Sequence, residues 1–142
     1  MRENVLRLIT ILLILLFFYT AVSKFLNLNE FEKELGNQTI PSWSVPLLVW
    51  LIPLMEVLVV LLIINPSTII LGFFSSALLM FVFSGYISLV LLNVFDRVPC
   101  SCGGVLKQMD FGVHLVFNLF FLLLSITGIR LLRSVRNATK PQ

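Results

Sequence analysis

The sequence predicts an all-α integral membrane protein, a bundle of four spanning helices forming one domain over residues 1–142. Three observations lead there. Of the 142 residues 58% are hydrophobic and only 12% charged, and the mean hydropathy is +1.03. The apolar residues gather in four runs, each near the ~20 residues needed to carry a helix across a hydrocarbon core of roughly 30 Å. None of these runs alternates as a barrel strand does, and only helices and closed barrels satisfy their own backbone groups in lipid. The net charge of +3 does not make the chain a nucleic-acid binder. Its cations sit mostly at the chain ends, with no basic face interleaved with aromatics, so nucleic acid is excluded as a partner.

The first span covers 5–25 (VLRLITILLILLFFYTAVSKF). Arg2 and Arg7 before it and a loosely A-x-A-like Ala21-Val22-Ser23 near its end resemble a secretory signal. The apolar run is too long for one, however, and three more spans follow in place of a secreted domain. The connection NLNEFEKELGNQTIPSW carries Asn29 with Glu32 three residues on, an N-cap pair, and Gly36 where a helix ends. Leu28, Phe31 and Leu35 then share one face, which predicts a short interfacial helix with Trp43 and Trp50 as membrane anchors.

The second span covers 45–64 and the third 68–95. Within the third, Gly72-x-x-x-Ser76 and Ser84-x-x-x-Ser88 place small residues at helical spacing, the pattern that lets neighbouring helices approach closely. The fourth span covers 111–132. Arg2 and Arg7 precede the first span and Arg130, Arg133, Arg136 and Lys140 end the last, so the positive-inside rule puts both termini in the cytoplasm. The turn at 65–67 then lies on the same side, and the segment RVPCSCGGVLKQMD, 97–110, faces outward, where disulfides persist.

Charges inside a span are costly, and each invites a named partner. Glu56 lies some ten residues into the second span, about 15 Å of helix rise. Lys24 lies at the outer end of the first, with a stem long enough to reach inward or to snorkel. An ion pair between them is one expectation. The other is a protonated or hydrogen-bonded Glu56, served by serines and by the carbonyl that Pro53 frees. In the fourth span Asp110, His114 and Asn118 recur every four residues and line one face. Asp110 is placed to cap the helix, and His114 sits one turn in, near enough in sequence to Cys102 to favour a thiolate.

Cys100 and Cys102, the chain's only cysteines, are one residue apart. A disulfide wants Cα atoms about 4.4–6.8 Å apart, and an extended i, i+2 pair sits at the far edge of that range. The loop must therefore turn, and Pro99 before the pair with Gly103 and Gly104 after it supply one rigid and two permissive backbone positions. A strained, exposed disulfide exchanges readily. Three readings stand on the residues alone: a redox pair, a soft-metal set of Cys100, Cys102, Met109 and His114, and two small residues in a turn.

The stretches LLILLFFYTAVSKFLNLNEFEKEL and IPLMEVLVVLLII resemble the first two helices of the DoxX-like membrane proteins, with Lys24 and Glu56 at the usual lysine and glutamate. CSCGG followed by DFGVHLVFNLFFLLL resembles the MauE branch of that group, in which C-x-C-x-G precedes the last helix. The resemblance implies a multi-pass protein of the bacterial inner membrane with a DoxX-like bundle. It also implies a role in maturing disulfide-rich exported proteins, as in methylamine utilisation; together with the reading of the residues this makes Cys100, Cys102 and His114 the expected catalytic residues, with no resident metal. A single dithiol has no second pair of its own to relay electrons to, unlike the two pairs of DsbB and vitamin K epoxide reductase. A quinone, or the thiols of an exported, thioredoxin-like partner, must reach it directly. Against this thiol–disulfide exchanger stand a copper- or zinc-handling protein and a non-catalytic docking subunit.

Overall fold

The computed structural model describes residues 1–38, 40–92 and 111–139. Among them every regular element is helical: α1 (Arg2–Leu26), α2 (Leu28–Gly36), a 3-10 turn (Ser42–Ser44), α3 (Val45–Ile64), α4 (Ile69–Leu91) and α5 (Phe111–Ala138). Four of these helices, α1, α3, α4 and α5, are long and apolar enough to cross a membrane. They pack in a ring, α1 on α3, α3 on α4, α4 on α5 and α5 back on α1.

The helices overlap the expected spans over most of their length, with informative differences at the ends; residues 93–95 of the expected third span lie outside the described residues. The first helix starts three residues early and α5 runs on to Ala138, past the expected limit of 132. The added turns of α5 are held by protein contacts: Arg136 donates to the carbonyl of Pro66 at 3.2 Å, and the Arg133 guanidinium lies 5.6 Å from the Phe74 ring centroid. The expected cap at Asn29 is corrected. The short helix begins at Leu28 with Asn27 as its N-cap and no side-chain cap bond, because the Asn27 amide donates back to the carbonyl of Ser23 and closes α1 instead. The expected Leu28, Phe31, Leu35 face does form, and it packs on Val45 and Val49 at the start of α3.

The bundle is apolar outside and partly polar inside. Leu15, Leu61, Leu78, Phe81 and Leu123 stand exposed on its outer surface, while Lys24, Glu56, Ser76, His114, Asn118 and Ser125 are buried. Apolar surface facing outward is stable against hydrocarbon, whereas polar groups must find partners within. Small residues set the helix spacing. A Cβ on Gly72 would come within 2.7 Å of the Ile63 backbone nitrogen, so α3 and α4 approach there closer than any other residue permits. One helical turn on, Ser76 and Ser125 share a hydrogen bond of 2.7 Å between α4 and α5.

The two ends of the bundle differ. Arg2 donates to Ser134 at 3.0 Å and Arg136 reaches Pro66, which brings both chain termini and the α3–α4 turn to one end. Because the spanning helices alternate in direction, the other end gathers α2, the C-termini of α1 and α4, and the N-termini of α3 and α5.

Candidate functional site

The polar residues of the interior meet near the α2 end. Lys24 lies in the last turn of α1 and Glu56 in the fourth turn of α3, and Lys24 Nζ is 2.5 Å from Glu56 Oε1 with the side chains 7% and 3% exposed. Two charges so fully removed from solvent persist only when paired and hydrogen-bonded. The short helix α2 covers them: the Phe31 ring centroid is 5.7 Å from Lys24 Nζ, a distance at which an aromatic face attracts a cation.

On the opposite wall, His114 and Asn118 of α5 are both buried. Four residues apart, they occupy the same helix face. They share a cavity with Lys24 and Glu56, closed by Phe31 of α2 and by Met80, Phe83 and Tyr86 of α4. The cavity takes up about 580 Å³ between its walls, mouth included, of which about 50 Å³ admits the centre of a water-sized molecule. At roughly 10–15 Å³ of such space per water, about four waters fit without any side chain moving.

Three buried side-chain atoms have no hydrogen-bond partner among the described residues: Glu56 Oε2, Asn118 Nδ2 and Ser84 Oγ. The first two belong to residues that line the cavity, although the atoms themselves are sealed from it. Above it, the Tyr86 hydroxyl donates to Gln38 Oε1 and ties α4 to the residues that follow α2.

Of the residues singled out in the sequence, the fold brings Lys24, Glu56, His114 and Asn118 to one cavity. Cys100, Cys102, Gly103, Gly104, Met109 and Asp110 lie outside the described residues. Among the described residues no group of three His, Cys, Asp or Glu side chains is placed to hold a metal ion. The segment carrying the cysteines is nevertheless tethered at known points, since the described chain leaves at Leu92 after α4 and resumes at Phe111 at the start of α5. Both tethers are at the cavity end of the bundle. Sequence reasoning missed Tyr86 and Gln38. A tyrosine inside an otherwise apolar run was the available signal for Tyr86, and Gln38 carried none.

A family model described as methylamine utilisation protein MauE matches residues 2–131. No curated protein and no solved structure matches the chain.

Proposed function

The chain belongs to the MauE family, and from that premise we propose that it exchanges thiols and disulfides with exported proteins through Cys100 and Cys102, on the outer face of the bacterial inner membrane. The observation that carries the reading is the placement of both tethers of the C-x-C segment beside the one end of the bundle where buried polar groups collect. Orientation is supported by charge. Arg2, Arg133 and Arg136 cluster at the opposite end, the end that the positive-inside rule assigns to the cytoplasm.

In the oxidising direction, a partner thiolate attacks one sulfur of the Cys100–Cys102 disulfide, forming a mixed disulfide and releasing the other cysteine as a thiolate. A second partner thiolate attacks the mixed bond, and the partner leaves oxidised while Cys100 and Cys102 are left reduced. Run backwards, the same steps reduce a partner, so one pair serves maturation and repair alike. His114, one turn into α5, is the nearest described imidazole in sequence to the pair and favours the thiolate that each attack needs. Lys24 and Glu56 fasten α1 to α3 beneath it.

Trapping tests this directly. In membranes carrying Cys100→Ser or Cys102→Ser, one variant accumulates a reductant-sensitive adduct with an exported protein, because its mixed disulfide has lost the resolving thiol. Membrane-impermeant maleimide added from outside labels the remaining cysteine. If neither variant forms an adduct and both support partner maturation as the parent does, the proposal is wrong.

A further inference from the structure

The end of the bundle away from the cavity carries a groove and a charge imbalance that thiol exchange does not use. The groove lies between α1, the α3–α4 turn and α5, walled by Thr10 and Ile14, by Ile63 and Ile69, and by Leu132 with Arg136 one turn further on. About 520 Å³ of it admits the centre of a water-sized molecule, against about 50 Å³ in the enclosed cavity. Ile63 and Leu132 are buried and form its floor. Thr10 already donates its hydroxyl to the Leu6 carbonyl at 2.8 Å, so the wall is apolar up to Arg136, and hydrocarbon suits it better than water does. Five arginines, Arg2, Arg7, Arg130, Arg133 and Arg136, stand in the first two turns of α1 and the last three of α5, against a single acid, Glu3. Three of them rest on neutral groups: Arg2 on the Ser134 hydroxyl, Arg133 on the Phe74 ring and Arg136 on the Pro66 carbonyl. A guanidinium has five N–H donors in a planar fork that fits two phosphate oxygens at once, and the bond to Pro66 occupies one of those of Arg136.

We propose that this groove binds an anionic phospholipid, with one acyl chain against Ile14, Ile63 and Leu132 and the phosphate on Arg136. Leu132 and Arg136 lie about 6 Å apart along the axis of α5, so a chain entering beside Leu132 leaves its headgroup level with the guanidinium. Charge then selects the headgroup. A zwitterionic lipid carries an ammonium beyond its phosphate, and among five guanidiniums only Glu3 is there to receive it. An anionic headgroup has no such cation to place, and basic pockets between spanning helices on the cytoplasmic side favour it. The positive-inside rule assigns this end to the cytoplasm, so the source is the adjoining leaflet. Seated there, the lipid fills the space that α1 leaves beside the α3–α4 turn and α5. The inference involves no cysteine and stands or falls apart from thiol exchange.

Native mass spectrometry of the full-length protein in a non-ionic detergent, titrated with phosphatidylglycerol and phosphatidylethanolamine of identical chains, tests this. The expected result is one retained phosphatidylglycerol per protein, bound at least about tenfold more tightly than phosphatidylethanolamine, the scale of one charged hydrogen bond. Arg136→Gln removes the fork, and Ile14→Trp fills the groove with every charge in place. Each should weaken phosphatidylglycerol binding by about tenfold or more. Arg130→Gln removes the same charge from an exposed site outside the groove and should leave binding unchanged, as should an excess of inorganic phosphate. Thermal unfolding identifies a variant that fails to fold, and the other then decides; should both fail, the lipid preference of the parent and the phosphate competition decide. Equal affinity for the two lipids, equal losses in Arg130→Gln and Arg136→Gln, or a lipid count that climbs without saturating overturns the proposal and leaves a diffuse basic surface. Displacement by inorganic phosphate overturns it as well, in favour of a free anion.

Discussion

Replacing Lys24 with methionine removes the cation and keeps most of its stem, so the variant isolates the ion pair between α1 and α3. At the 2.5 Å separation found here, two unit charges attract by about 6–7 kcal/mol at an effective dielectric of about 20. Both side chains are almost sealed from solvent, and desolvation of several kcal/mol per ion offsets most of that attraction. The intact pair is therefore close to neutral for stability. Removing one partner is not, because Glu56 keeps its desolvation penalty and loses the attraction, and its Oε2 already lacks a hydrogen-bond partner. The expected destabilisation of Lys24→Met is about 3–5 kcal/mol. The double variant Lys24→Met/Glu56→Leu should return to within about 1 kcal/mol of the parent, since an apolar contact replaces the pair without stranding a charge. Denaturant unfolding of the purified protein in mild detergent, followed by far-ultraviolet circular dichroism, measures both. If Lys24→Met proves as stable as the parent, Glu56 is left with no stranded charge and the inference that a sealed ion pair joins α1 to α3 is refuted.

Two further perturbations probe how the site is held. Ser76→Ala and Ser125→Ala each remove the shared bond between α4 and α5; the first leaves the Ser125 hydroxyl donating to the Phe121 carbonyl at 2.9 Å, while the second strands the Ser76 hydroxyl. Each should cost about 0.6–1.7 kcal/mol, with the double variant little worse than either single, and additive losses in the same unfolding assay would show that the two do not share a bond. Phe31→Ala removes the ring that covers Lys24 and anchors α2. A loss of about 3 kcal/mol is expected, falling mainly on α2, so limited trypsin digestion should cut faster after the exposed Lys33; an unchanged cleavage rate would contradict that docking.

The spans were readable because hydrocarbon imposes one rule on all of them: enough apolar residues to reach across, wound as helices. Their ends were less so. Arg133 and Arg136 read as the close of the fourth span, yet the helix continues through them, because the Phe74 face and the Pro66 carbonyl offer partners that only the folded bundle brings near. Asn29 looked like a cap by spacing, but Asn27 one helical turn from Ser23 competes for the same junction and wins. In the candidate site, Lys24, Glu56 and His114 announced themselves as polar residues where lipid should exclude them. The tie above the cavity did not. Tyr86 and Gln38 are 48 residues apart, and nothing in either local pattern ties one to the other.

The apolar half of the core sets the sidedness of any chemistry at the other end. From two turns below Lys24 come Phe17, Leu13 and Ile9, and below Glu56 come Val59 and Ile63, packed with Phe73, Phe121, Ile129 and Leu132. A layer of this kind stays dry, and the Ser76–Ser125 bond within it is already satisfied by its own two members. The layer insulates. Chemistry of the kind proposed above would therefore exchange its protons through the α2 end, with none carried through this layer.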